Sequence, residues 1–308
     1  MTLTGIKQAP GRLANWGKAV PGRFVHAIRH FKLSRFILYI FMIAAVLFMA
    51  LPLIYVIMTA FKPMNELFIF PPRFFVQNPT TRNFGDLVTA LGSSVVPFTR
   101  YIFNSVVVAV AVVVLTVLVC SLGAYGLSKH KPKGSNILFI LVIAALTFSP
   151  HVTTIPRYLV INYMGLINSY FALILPNIAV AYNFFLMKQF IDQFPNELIE
   201  AARIDGAGEL FIYWRILMPS IKPAWSTLVM LSFVSTWNDY FSPLIYTSSQ
   251  TMKTLPLALQ TIAGSSTSIG RMGAVAAATF LMTVPTIVIF LIMQRRVMET
   301  MVYSGIKG

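Results

Sequence analysis

The sequence predicts an all-α protein that crosses a membrane several times. Hydrophobic residues make up 57% of its 308 residues and charged residues only 11%, whereas ordinary soluble domains carry ~25% charged residues. About six apolar stretches approach or exceed the ~20 helical residues that a hydrocarbon core of ~30 Å requires. A charged loop between the fourth and fifth stretches predicts two short helices joined by a sharp turn.

The apolar stretches define the predicted spans. The third is the least regular, because its clean run is short and ends at Pro150-His151. It is either a kinked span or a re-entrant segment. The predicted spans are residues 36–58, 101–125, 137–148 with an extension to about 155, 166–187, 224–246 and 273–293.

The charge balance is strongly basic, with a formal net charge of +15. In a soluble chain this charge would suggest nucleic acid, but in a membrane protein Lys and Arg are expected beside lipid headgroups, and no nucleic-acid partner is predicted. If the first segment lies inside, 17 of the 24 Lys and Arg residues fall in interior segments. This asymmetry predicts that both termini are cytoplasmic.

The predicted organisation begins with a basic arm, residues 1–35, which contains no acidic residue. We expect it to lie on the cytoplasmic side against anionic lipid, the alternative being an organelle transit peptide. The first span and an outer loop follow in 36–100, then the membrane core in 101–295 and a cytoplasmic tail in 296–308.

The sequence contains few groups suited to catalysis or cofactor binding. The single cysteine, Cys120, excludes an internal disulfide and is expected to pack in the core. The four histidines have no Cys or carboxylate at ligand spacing, so no metal site is predicted. The nearest approach to a phosphate loop, Gly11 to Lys18, has the wrong spacing. We therefore expect no catalytic residue and no cofactor bound by this chain.

The loop between the fourth and fifth predicted spans holds five of the nine acidic residues of the chain. Such a density of charge requires water, so the loop is expected outside the bilayer. Pro195 should stop the preceding helix, and Asn196 is the predicted N-cap of a short helix with Glu197 in its first turn. Gly206 can adopt the left-handed conformation that ends this helix. A second amphipathic helix is expected up to Pro219.

Two helices joined by a glycine turn and anchored to spans at both ends would form a stiff lever. In this interpretation, Ala201 and Ala202 keep the first helix thin enough to enter a partner's groove. Glu200 and Arg203 could pair with charges in that groove. A solvated amphipathic hairpin without a partner explains the same pattern, and geometry alone does not separate the two.

The residues of this loop resemble a motif of the permease subunits of binding-protein-dependent ABC importers. The family pattern is Glu-Ala-Ala, three residues, Gly, nine residues, Ile, one residue, Leu and Pro. The chain matches it at Glu200, Ala201, Ala202, Gly206, Ile216 and Pro219. Met218 replaces the usual Leu, a change that conserves volume and apolarity. The resemblance covers roughly residues 36–308, and with Arg203 and Asp205 these matched positions are the predicted ATPase-coupling residues.

The resemblance implies an assembly in the cytoplasmic membrane of a bacterium or archaeon. Two permeases, usually different, would form the pathway, and two ATPase subunits carrying ATP and Mg would dock on their cytoplasmic loops. An external solute-binding protein would deliver the cargo. The C-terminal tail, including Lys307, is also implied to reach the ATPases.

Three further stretches resemble the carbohydrate-importer branch of the family, which includes the second maltose permease subunit. They are Trp237-Asn238-Asp239-Tyr240, Leu255-Pro256 and residues 304–308. The resemblance implies a sugar or oligosaccharide as cargo.

The motif in the fifth span supplies the predicted substrate contacts. Asp239 is the only acidic residue in a predicted span, and intramembrane acids usually face a cavity or a partner. Trp237 and Tyr240 could stack on sugar rings, while Asn238 and Asp239 could bond hydroxyl groups. The alternative is a structural role for all four residues.

Asn104 and Asn177 are the other predicted pathway residues. Both put polar groups at membrane depth, and Asn177 follows a proline. Polar groups beside helix breaks often line cavities in transporters. Hydrogen bonds between helices explain these two residues equally well.

Two rival functions remain open. A secondary transporter or channel that works alone would need an ion site or a charge relay, for which Asp239 is the only candidate acid. An ABC importer of another cargo, such as glycerol phosphate or an amino acid, would share this machinery. Cargo phosphate would favour Arg or Lys facing the pathway, and the predicted spans contain neither.

Overall fold

The computed structural model describes residues 33–92, 96–264 and 271–305. Within these residues the chain forms helices and no β-strand, which confirms the all-α prediction. The basic arm and Lys307 lie outside the described residues, apart from residues 33–35 of the arm. The chain divides into two units, residues 1–54 and 55–308. None of the described side chains in the first unit is buried.

The helices are numbered here in chain order. They are α1 (Leu33–Ala60), α2 (Met64–Leu67), α3 (Arg82–Gly92), α4 (Phe98–Tyr125), α5 (Ser135–Leu146), α6 (Thr154–Tyr163), α7 (Tyr170–Ile178), α8 (Ala181–Asp192), α9 (Asn196–Ile204), α10 (Glu209–Ser220), α11 (Lys222–Trp237), α12 (Phe241–Tyr246), α13 (Leu255–Ala263) and α14 (Met272–Gly305). A π-helical turn, Gly126–His130, extends α4, and residues Ile212–Leu217 of α10 are also π-helical.

Several helices have the length and apolarity of membrane spans. Among the described residues, three qualify alone: Arg35–Ala60, Phe98–His130 and Met272–Val297. Two bent pairs qualify when each is counted together, α7 with α8 at 43° and α10 with α11 at 80°. The apolar helix α5 has 12 residues, or ~18 Å, and is shorter than a bilayer core. The protein is therefore multi-pass, whereas the number of six spans stays a prediction.

Two predicted spans are not continuous helices: the break in the fourth agrees with the break expected beside Asn177, whereas the break in the fifth corrects the sequence analysis. The fourth breaks at residues 179–180, soon after Pro176, which itself lies inside α7. The fifth breaks at residues 238–240, just before Pro243 in α12. At the other end of the core, α14 continues as a helix past residue 296, where the tail was predicted to begin.

Helix α4 lies at the centre of the second unit. It packs against α7, α8 and α11, and α11 packs in turn against α14. One buried cluster surrounds the C-terminal part of α4 and contains Cys120, Met187 and Tyr213. A second surrounds its N-terminal part and contains Tyr101, Trp237 and residues of α13 and α14. Cys120 is fully buried, as expected for a core residue.

Candidate functional site

The charged loop folds into two helices, α9 and α10, and is called the elbow here (residues 196–220). Pro195 occupies the N-cap position with extended ψ, and Asn196 is the first helical residue. The prediction that Asn196 caps the helix is therefore wrong. Its side-chain oxygen accepts a hydrogen bond from Lys129 Nζ at 2.8 Å instead.

Gly206 forms the turn between the two helices, with φ at +83°. Its N–H donates to the Arg203 carbonyl at 3.0 Å, and the next N–H, of Ala207, donates to the Ala202 carbonyl at 2.9 Å. This pair of bonds is the Schellman motif, which satisfies carbonyls that the helix end leaves free. The predicted left-handed glycine is confirmed, and only glycine adopts this φ without strain.

Most of the predicted coupling residues lie on the surface of the elbow. Ala202 is an exception, because it is buried in the cluster around the end of α4 and cannot enter a partner's groove. Ile216 is half-buried against the same cluster. Exposed positions are Glu200, Ala201, Arg203, Asp205, Gly206 and Pro219.

Large apolar side chains are also exposed on the elbow. One face of α10 is buried through Ile212, Tyr213 and Leu217, whereas five other large apolar side chains of α9 and α10 are exposed. They are Leu198, Ile204, Leu210, Phe211 and Trp214, with exposed fractions from 51% to 87%. A patch of this kind with charged neighbours is typical of a protein interaction surface.

Glu209, at the start of α10, binds three side chains. Its Oε1 accepts a hydrogen bond from Arg203 Nε at 2.8 Å. Its Oε2 accepts one from the Tyr125 hydroxyl at 2.7 Å and lies 3.2 Å from His130 Nε2. The Arg203 hydrogen bond, followed by that of Tyr125, lowers the pKa of Glu209 below the ordinary glutamate value. The carboxylate therefore joins both elbow helices to the end of α4.

Ser121 of α4 contacts the elbow, and Lys129 of the π-helical turn that extends α4 contacts the residues around the start of the elbow. The Ser121 hydroxyl lies 2.6 Å from that of Tyr213 in α10. Lys129 Nζ donates to the carbonyl of Phe194, just before α9, at 2.6 Å. Ser121, Tyr125 and Lys129 are spaced four residues apart, so they lie along one face of the helix.

Trp237 does not form an open face for a sugar ring, which corrects the prediction for this residue. It is 5% exposed, and its ring stacks on Phe233 with centroids 5.6 Å apart. Its indole N–H donates to the Met282 carbonyl of α14 at 3.1 Å. The residue therefore fastens α11 to α14.

The polar residues after Trp237 mark the break between α11 and α12. Asp239 Oδ1 accepts hydrogen bonds from the N–H groups of Phe241 and Ser242, both at 3.0 Å. The carboxylate thus caps α12, as Asp commonly does at a helix start. Asn238 donates to the Val234 carbonyl of its own helix at 2.8 Å. The side chains of Asn238 and Tyr240 are exposed, and their contact with a substrate stays a prediction.

Asn104 is fully buried, and its side chain bonds to other segments of the protein. Its Nδ2 donates to the carbonyls of Thr251 and Lys253, both at 2.8 Å, and its Oδ1 accepts a bond from the Tyr170 hydroxyl at 2.7 Å. The neighbouring Ser105 hydroxyl accepts the Leu255 N–H at 2.8 Å. These contacts are called the far joint here. They correct the prediction that Asn104 lines the pathway.

Asn177 lies at the break between α7 and α8 and is half-buried. Its Nδ2 donates to the Leu173 carbonyl one turn earlier at 2.9 Å. Two side chains of α4 reach the carbonyls that the break leaves free: Thr116 Oγ1 lies 3.4 Å from that of Asn177, and Cys120 Sγ lies 3.8 Å from that of Ile178. The polar groups of the break are therefore satisfied by α4.

Comparison with known proteins assigns the family. Residues 116–299, which include the elbow, match the model of the binding-protein-dependent transport system inner membrane component. The chain belongs to this family of membrane permeases. The elbow of the permease thus lies inside the matched segment.

Relatives and a solved structure agree with this assignment. The permease is 30% identical over 264 residues to the arabinooligosaccharides transport system permease protein AraQ of Halalkalibacterium halodurans, covering 83% of this chain and 91% of the relative. It is 34% identical over 205 residues to the sn-glycerol-3-phosphate transport system permease protein UgpE of Yersinia enterocolitica, covering 67% and 73%. A chain of a bacterial ABC transporter involved in the import of the acidic polysaccharide alginate has the same fold, with a TM-score of 0.72, 22% identity and coverage of 90% and 98%.

Sequence reasoning missed the most connected residue of the elbow. Glu209 is one of several acids in the loop, and Tyr125 lies 84 positions away. The only available signal was the four-residue spacing of polar side chains at the end of the second predicted span. That spacing indicates one polar helix face, but it does not say what the face contacts.

Proposed function

We propose that this permease forms half of the translocation pathway of an ABC importer and that an ATPase subunit docks on its elbow. The elbow carries this proposal, because its surface presents six of the eight motif-region residues to solvent beside an exposed apolar face. The other components are a second permease, a pair of ATPases that bind ATP and Mg, and an external solute-binding protein. No ATP hydrolysis occurs on this chain.

The anatomy of the elbow surface suits a protein partner. Aromatic and aliphatic side chains, including Phe211 and Trp214, would form the centre of the interface. Glu200 and Asp205 would lie at its charged rim. Protein interfaces combine an apolar, aromatic centre with a polar edge in this way.

The charges near the elbow support a cytoplasmic location. Lys129, Lys131 and Lys133 lie between α4 and α5, and Lys188 and Lys222 lie on the helices that enter and leave the elbow. Short loops rich in Lys and Arg remain on the cytoplasmic side. On the same grounds we propose that both termini lie in the cytoplasm.

The mechanism follows from the rigidity of the elbow. Closure of the ATPase pair around ATP would displace the docked surface. The Schellman turn fixes α9 relative to α10, and α10 continues into the membrane helix α11 through a bend of 80°. A displacement of the elbow would therefore turn α11 and α8 and open the pathway to the outside.

We propose a sugar or oligosaccharide as the cargo. The AraQ relative transports arabinooligosaccharides by name, and the predicted spans contain no Lys or Arg to neutralise an anionic cargo. Asn238 and Tyr240, at the break in the fifth span, are exposed and offer hydrogen bonds and an aromatic face. The UgpE relative makes sn-glycerol 3-phosphate the second candidate.

The test uses the tagged permease purified from its native membranes with its associated subunits. We expect two permeases and a pair of ATPases in the complex, and ATP-dependent uptake after reconstitution into vesicles with the binding protein. Labelled arabinotriose, maltotriose and sn-glycerol 3-phosphate are the cargo probes. Uphill movement of a probe by this chain alone would refute the proposal, and uptake of only the phosphate would refute the sugar assignment.

Gly206→Pro tests the elbow directly. Proline cannot adopt the φ of +83° and removes the N–H of the turn, so we expect at least a roughly tenfold loss of uptake and of bound ATPase. The matched control is Gly208→Ala, because Gly208 has an ordinary φ of -73° and space around it. Glu200→Lys alters an exposed charge without disturbing the fold, and undiminished uptake by both Gly206→Pro and Glu200→Lys would contradict a coupling role.

A further inference from the structure

The elbow is fastened to a helix that is not its neighbour in sequence. Chain connectivity joins the elbow only to α8 and α11, yet α4 makes hydrogen bonds to both elbow helices. We propose that α4, in addition to α8 and α11, transmits the ATPase stroke through the membrane, with Glu209 as the positioning residue that latches it to the elbow. This inference rests on the proposed docking of an ATPase on the elbow.

The contact with α9 is made by Lys129. Its ammonium group donates to the Phe194 carbonyl at 2.6 Å and to Asn196 Oδ1 at 2.8 Å. The acceptors lie just before α9 and at its first residue, where the chain leaves α8. A displacement of α9 must therefore either move Lys129 or break two charge-assisted hydrogen bonds.

The contact with α10 is made by Glu209 and Tyr213. Glu209 accepts a hydrogen bond from the Tyr125 hydroxyl at 2.7 Å and lies 3.2 Å from His130. Tyr213 is buried and shares a hydrogen bond with Ser121. Because Glu209 also binds Arg203 of α9, the same carboxylate locks the angle between the elbow helices and ties both to α4.

The end of α4 has the geometry that such a latch requires. Lys129 and His130 are consecutive residues of the π-helical turn, and they reach α9 and α10 respectively. Single π-helical turns inside α-helices occur frequently at functional sites. This turn therefore contacts both helices of the elbow.

The rest of α4 contacts the parts of the membrane core that are broken or irregular. Thr116 and Cys120 reach the free carbonyls of the α7–α8 break. At the opposite end, ~40 Å away for a helix of this length, Asn104 and Ser105 hold residues 251–255. A shift of α4 would thus reach both places through direct contacts.

The experiment measures movement of α4 in the complete transporter. Spin labels are placed at Phe103→Cys in α4 and Phe290→Cys in α14, both of which are exposed. The native Cys120 is fully buried and should stay unlabelled, which the unmutated chain checks. The distance between the labels is recorded in vesicles before and after trapping with ATP and vanadate. We expect a shift with unmutated Glu209, and a loss of more than half of that shift in Glu209→Gln, with the ATPases still bound.

Controls separate the latch from a general loss of charge. Asp192→Asn removes a similarly exposed carboxylate that pairs with Lys188 at 2.6 Å, and it should leave the shift unchanged. Tyr125→Phe should reduce the shift, and the double variant should be no worse than Glu209→Gln, because residues of one latch are not additive. A full shift in Glu209→Gln, or no shift in the unmutated complex, would overturn the inference. Absence of ATPases from the unmutated complex would instead refute the proposed function.

Discussion

The two ends of α4 are held by polar contacts of opposite character. At the far joint, the Asn104 side chain is fully buried and bonds mainly to backbone carbonyls. At the elbow, the Glu209 side chain is 44% exposed and bonds only to other side chains. The first joint fixes a loop to a helix through backbone groups, whereas the Glu209 contacts can rearrange without losing a bond to the backbone.

This difference has an energetic consequence. A buried polar group that loses its partner costs about 1–3 kcal/mol, because water cannot replace the partner. An exposed ion pair contributes about 0–1 kcal/mol, since water and salt screen it. We therefore expect changes at the far joint to lower stability, and changes at the elbow to alter transport with little effect on stability.

Asn104→Leu should have the largest effect on stability. Leucine has a similar volume but removes all three hydrogen bonds of the Asn104 side chain. The Lys253 carbonyl then loses its bond at the far joint. Arg100 still reaches the Thr251 carbonyl and the Tyr170 hydroxyl. We expect the free energy of unfolding to fall by about 2–4 kcal/mol. Thermal denaturation of the purified permease in detergent measures this change.

The matched control is Asn238→Leu. Asn238 is exposed and bonds only within its own helix, so its replacement should change stability by less than about 0.5 kcal/mol. Equal losses in the two variants would mean that burial does not distinguish these asparagines, and the contrast between the joints would fail.

Ser105→Ala should have a smaller effect at the same joint. The change removes the hydroxyl that accepts a hydrogen bond from the N–H of Leu255, the first residue of α13. We expect a loss of about 1–2 kcal/mol. Ser235→Ala is the control, because that exposed hydroxyl bonds only to a carbonyl of its own helix. A larger loss for Ser235→Ala would contradict the role of the far joint.

The elbow could be predicted from the sequence because its signals are local. Pro195 marks the start of α9, Gly206 marks its end, and the left-handed conformation of Gly206 follows from residue type. Asn196 shows the limit of this reasoning. Its side chain accepts a hydrogen bond from Lys129, which follows α4, and does not cap α9. No local pattern reveals this distant partner.

The pathway residues could not be assigned because their partners are distant in sequence. Asn104 bonds to residues about 150 positions away, and the Trp237 N–H bonds to a residue 45 positions away. A polar residue in an apolar helix must find a partner, but its sequence does not say whether that partner is cargo or backbone. Asp239 is different, since its bonds to Phe241 and Ser242 are local and follow from the usual preference of Asp for helix starts.

The smallest expected effect is the pH dependence of the Glu209 latch. Hydrogen bonds from Arg203 and Tyr125 lower the pKa of this carboxyl in the folded protein. Its stabilising contribution is therefore fully present above the ordinary glutamate pKa and is lost as pH falls through the lowered one. The contribution should stay below about 1 kcal/mol, because the carboxylate is partly exposed.

Thermal denaturation of the Glu209 and Glu209→Gln proteins measures the effect between neutral and acidic pH. Both proteins carry His130→Gln, which removes the imidazole beside the Glu209 carboxylate. The stability difference should remain constant from neutral pH to the ordinary glutamate pKa and shrink only at lower pH, where the protonated acid comes to resemble glutamine. A difference that disappears well above that value would show that Arg203 and Tyr125 do not hold the charged carboxylate. The polar contacts between the elbow and the end of α4 would then be those of Lys129 and Ser121, beside the apolar packing around Cys120.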